Sequence, residues 1–81
     1  MGGFKFYIME YCEKVLQSKP MVWLSASDIA PEVSAIAKKD VSTIRVALHL
    51  RELSDRNRGK VQRHFIKDHG SKWMYAYVGS D

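Results

Sequence analysis

No disulfide can form within this chain, because Cys12 is its only cysteine. That fits a reducing cytoplasm, although a secreted protein without disulfides satisfies it too. Cys12 lies on the apolar stripe of the first expected helix, where a free cysteine is expected as a packed thiol rather than a reactive one. No apolar run approaches the ~18 residues a membrane span needs. Lys5 and Glu10 interrupt any signal-peptide core at the N-terminus. Phe6 stands where N-myristoylation wants Ser or Thr. A soluble, cytoplasmic or nucleoid-associated protein with no membrane partner is the expectation.

Catalytic and metal-binding patterns are missing as well. There is no glycine-rich phosphate loop, no nucleophile motif and no carboxylate pair at a recognisable spacing. The histidines are His49, His64 and His69, and no cysteine pair accompanies them to complete a zinc site. No enzyme, metal site or cofactor is expected. His69 reads as a surface residue or a phosphate contact. Repeats, low-complexity stretches and linkers are absent too, and 81 residues make one domain, 1–81, with a small core.

What the second half lacks is acid. Residues 1–41 carry five basic and five acidic side chains, while residues 42–72 carry eight basic and three acidic. The excess points to a polyanion partner or to a solvated basic face.

Periodicity supplies the elements. Phe4, Ile8, Tyr11, Cys12, Val15 and Leu16 form one stripe of a helix over 4–18, stopped by Pro20. Residues 21–24 (MVWL) read as a short extended segment. Ser25 or Ser27 reads as a cap, and with Ser25 the residue at the third position is Asp28. Pro31 suits a first turn, so a short turn over 26–30 and a helix from Pro31 to about Lys38 are expected, with Val33, Ile36 and Ala37 inward. The clearest helix follows Ser42 and runs to about Asp55. Its core face is Val46, Leu50 and Leu53. Ile44 and Leu48 make a second apolar face, shared with Arg51 and Asp55. That second face calls for cover: thymine methyls, another part of the chain or a protein partner. Last comes a hairpin over about 61–67 and 73–78 with the turn DHGS. Trp73, Tyr75 and Tyr77 alternate on one face. With Trp23 they are expected in the core, the other reading being stacking platforms for single-stranded nucleic acid.

The order of elements, with SDIA at 27–30, VSTIRVALHLREL at 41–53 and the basic terminal hairpin, resembles the winged helix-turn-helix fold over nearly the whole chain. The resemblance implies an α+β domain of three helices with a C-terminal two-stranded β-hairpin wing. It implies double-stranded DNA binding by a small transcriptional regulator or a phage or plasmid accessory factor. Ser42, Thr43, Arg45 and Arg51 would approach the major groove. Arg58, Lys60, Arg63, Lys67 and Lys72 would meet phosphates from the loop and wing. Ile44 and Leu48 are the candidate protein interface, for an interaction module without DNA or for a homodimer. A homodimer through Phe6, Tyr7 and Met9 of the first helix is the other arrangement.

Overall fold

The computed structural model describes residues 3–67 and 70–79, with side chains from Tyr7 onward. The side chains of Phe4 and Phe6, and the turn residues Asp68 and His69, lie outside the described residues.

Helix α1 spans Gly3–Ser18. Ile8, Cys12, Val15 and Leu16 are buried on its inner side, and Tyr11 packs partly against the same core. Tyr7 stays exposed and stacks on Tyr11 at 6.5 Å. After the helix, Val22 N–H donates to the Lys19 carbonyl at 3.3 Å, closing a turn with Pro20 and Met21 at its centre. Met21 has φ +65°, where a turn of this kind favours glycine or asparagine. Its own N–H donates to the Tyr77 carbonyl at 3.0 Å, which ties the turn to the end of the last strand.

Ser25 then has two roles. It ends the two-residue strand β1 (Leu24–Ser25) and caps helix α2 (Ala26–Ala37). Its hydroxyl accepts from Asp28 N–H at 3.3 Å, and its own N–H donates to the Asp28 carboxylate at 3.0 Å. This reciprocal pair moves the start of the helix. The helix expected from Pro31 begins at Ala26 instead, and Pro31 lies inside it. An interior proline costs about 3 kcal/mol. The capping box returns about 1 kcal/mol, and the buried Ile29 and Val33 contribute about 1.5–3 kcal/mol each, so the continuous helix wins. The buried arc centres between Ile29 and Ala30. Ile36, expected inward, falls at the edge of that arc and is exposed.

The chain turns at Lys38, which takes the left-handed conformation (φ 61°, ψ 36°) and closes α2 by donating its N–H to the Ser34 carbonyl. Ser34 also accepts from Val41 N–H at 2.9 Å, which fixes the link to the next helix. Helix α3 spans Thr43–Arg56 with Ser42 as its cap, and its hydroxyl accepts from Arg45 N–H at 3.1 Å. Val46, Leu50 and Leu53 are buried as the spacing requires.

Strands β2 (Val61–Ile66) and β3 (Lys72–Tyr77) form the C-terminal hairpin, with Val61 opposite Tyr77 and Phe65 opposite Trp73. The expected two-stranded hairpin is part of a three-stranded antiparallel sheet of order β1-β3-β2, because Leu24 and Ser25 pair with Tyr75 and Met74. The three helices pack on one another. Val61 and Tyr75 close the core from the sheet, and Tyr77 packs at its margin.

The two tryptophans depart from expectation. Trp73 is 44 % exposed, and so is Trp23. Trp73 stands at the turn end of β3, where the hairpin runs past the core that covers Tyr75. Trp23 lies one residue before β1, so its side chain falls on the opposite face of the sheet from that of Leu24. It sits beside His64 at 6.0 Å. No helix among the described residues is long and apolar enough to cross a membrane.

Candidate nucleic-acid interface

Helix α3 presents one open face. Ile44 is 76 % exposed and Leu48 64 %, and Arg45 and Arg51 are exposed beside them. No other part of the described chain covers the apolar pair. Thr43 and Ala47, on the edge of this face, share a cleft with Lys72 and Trp73 of β3 and with Ser27 of α2. The outward face of α3 and the inner side of the hairpin thus meet along one groove.

The charges of this region sort into two groups. Glu52 and Asp55 are its two described acids. Glu52 pairs with Arg56 at 2.9 Å and Asp55 with Arg63 at 3.2 Å. Arg45, Arg51, Arg58, Lys60, Lys67 and Lys72 make no ion pair among the described residues. Most of the positive charge that the sequence concentrates here is therefore exposed and has no ion-pair partner among the described residues. Lys72 lies near enough to α2 to exert a small effect on Asp28. The carboxyl of Asp28 is held below its usual range first by the Ser25 backbone N–H, then by the Ser25 hydroxyl, with Lys72 and Lys19 adding attraction.

Arg63 is differently placed from the other cations expected to meet phosphate. Its guanidinium donates to the Ser54 hydroxyl at 3.2 Å and the Arg51 carbonyl at 3.4 Å, besides the pair with Asp55. It also lies over the Trp73 ring, 5.3 Å from the centroid. Trp73 in turn meets Phe65 at 5.0 Å. Arg63 thus joins the last turns of α3 to the hairpin, and its donors are largely occupied. Ser42 is similarly committed, because its hydroxyl caps α3. Thr43, in the first turn of that helix, is exposed.

Alternation along the strand fails to anticipate the aromatic pair Phe65–Trp73. The signal that was available is position: Trp73 directly follows Ser71 and Lys72 at the start of a strand, where a hairpin leaves its core. Burial pushes the Cys12 thiol up to about 12, so it is protonated at neutral pH and not a nucleophilic thiolate. Burial likewise raises the Tyr75 hydroxyl. No three His, Cys, Asp or Glu side chains converge on a common point among the described residues.

Comparison with known protein families, with curated proteins and with solved structures finds no match for this chain.

Proposed function

We propose that the chain binds double-stranded DNA as a winged helix-turn-helix domain, with α3 in the major groove and the β2–β3 hairpin as the wing. The observation that carries the reading is the uncompensated charge along α3 and the hairpin. The described acids there are neutralised by Arg56 and Arg63, and the cations left over flank the exposed side of one helix and one hairpin. A polyanion is the partner that such a surface attracts, and phosphate neutralisation supplies most non-specific affinity. The element order, and the short link between α2 and α3 closed by Lys38 and Ser34, support a helix-turn-helix arrangement. In this reading Arg58, Lys60, Lys67 and Lys72 meet phosphates, while Thr43, Arg45 and Arg51 reach toward bases.

The test is an NMR titration of the labelled protein with a generic duplex, at low and then moderate salt. Amides of 42–51 and 56–72 shift together and recover as salt rises. With four to six phosphates contacted, log K falls against log salt with a slope of about −3.6 to −5.4. Absence of any shift at low salt ends the reading. A second reading, a protein-interaction module without DNA, is favoured by the exposure of Ile44 and Leu48. It expects weak salt dependence and loss of the partner on Leu48→Asp.

A further inference from the structure

The open face of α3 has a composition that narrows the kind of duplex it would read. Ile44, Leu48 and Arg51 occupy successive turns of one line down the helix, with Arg45 alongside. The helix contains no Asn or Gln, the residues that make paired hydrogen bonds to adenine. Asp55, on the line, and Glu52, beside it, could accept from cytosine, but they are held by Arg63 and Arg56. Two chemistries remain at the face. Arg45 and Arg51 can donate in pairs to guanine, and Ile44 and Leu48 can bury an apolar group. In the major groove the apolar group is the thymine methyl.

Charge decides between DNA and protein as the cover for Ile44 and Leu48. The apolar pair is flanked by Arg45 and Arg51, which have no acidic partner among the described residues. Two aliphatic side chains fall well short of the roughly 800 Å² per partner that a stable protein interface buries. Ile44 and Leu48, four residues apart on α3, are separated by about 6 Å along its axis. That is close to two base-pair steps of about 3.4 Å.

We infer that Ile44 and Leu48 read the methyl groups of two thymines about two steps apart, beside a guanine read by Arg51. The preferred ligand is then a duplex carrying thymines in this spacing. This inference rests on the DNA-binding reading above and specifies its target.

The experiment selects duplexes from a random-sequence pool at moderate salt, then resynthesises the enriched sequences with deoxyuridine in place of thymidine. Only the methyl groups are removed. The enriched sequences carry thymines at the stated spacing. Each methyl lost weakens binding about fourfold, and the pair about fifteenfold. The double variant I44A/L48A binds thymidine and deoxyuridine duplexes equally and keeps the salt slope of the parent. Both positions are exposed and alanine favours helix, so this variant folds, which its melting curve checks. Equal binding of the two duplexes by the parent protein, with steep salt dependence, overturns the methyl reading and leaves DNA binding standing. Enriched sequences free of thymine at these positions overturn it as well. No duplex bound even at low salt overturns both, and Ile44 and Leu48 are then a protein contact.

Discussion

Replacing Arg63 with alanine separates structural charge from phosphate-binding charge in this protein. The guanidinium makes an ion pair with Asp55, a hydrogen bond to Ser54 and a cation–π contact with Trp73. Asp55 is close to half exposed, so the ion pair contributes about 0.5 kcal/mol. The bond to Ser54 adds about 1 kcal/mol, and the contact with Trp73 adds about 0.5–1 kcal/mol. Ser54 is not orphaned by the change, because its hydroxyl still donates to the Arg51 carbonyl at 2.9 Å. Arg63→Ala therefore costs about 2 kcal/mol, which for a domain of this size lowers Tm by about 8–16 °C. Thermal unfolding followed by circular dichroism measures it, and Trp73 fluorescence reports the loosened hairpin. Arg63→Lys, which keeps the charge but not the forked donors, falls between the two. In DNA binding, Arg63→Ala leaves the salt slope unchanged, while Arg58→Ala reduces it by about 0.9. An Arg63→Ala protein that melts like the parent and loses about 0.9 from the slope would show Arg63 to be a free phosphate contact and not a structural link.

Three further outcomes follow from local geometry. Met21→Gly raises stability by about 0.5–1 kcal/mol in denaturant titration, because Met21 is held at positive φ while its side chain is 71 % exposed. Asp28→Asn is less stable than the parent by about 0.5–1 kcal/mol at pH 7 through the weakened cap. The Asp28 carboxyl titrates below its ordinary value in the folded chain. Its contribution is therefore present above about pH 4 and disappears as pH falls through the depressed pKa, so the two melting temperatures converge in acid. Cys12, buried and raised to about 12, reacts with a thiol reagent at pH 8 only at the rate of global unfolding. Rapid labelling of the native protein contradicts that burial.

The helical core was legible because it is local. Ile8, Cys12, Val15 and Leu16, and later Val46, Leu50 and Leu53, repeat at the helical period, and all of them are buried. Ser42 was readable as a cap for the same reason: its partner, Arg45 N–H, is three residues away. Pro31 was misleading, because a local rule against interior proline competes with burial of Ile29 and Val33, and only the packed helix weighs the two.

The sequence alone carried the helix periods, the cap at Ser42, a cap at Ser25 or Ser27 that the structure resolves to Ser25, and the concentration of positive charge after residue 42. These depend on neighbours within a few residues or on composition alone. Tertiary structure decided which members of a pattern were covered. It left Ile44 and Leu48 open on α3, let Trp73 run past the core while Tyr75 stayed inside, and laid β1 along β3. Among the cations after residue 42 it committed Arg63 and Arg56 to Asp55 and Glu52, and left Arg45, Arg51, Arg58, Lys60, Lys67 and Lys72 exposed with no ion pair among the described residues. Burial and ion pairing depend on segments distant along the chain, and only their assembly in space shows which charges are neutralised and which stay free to meet a partner.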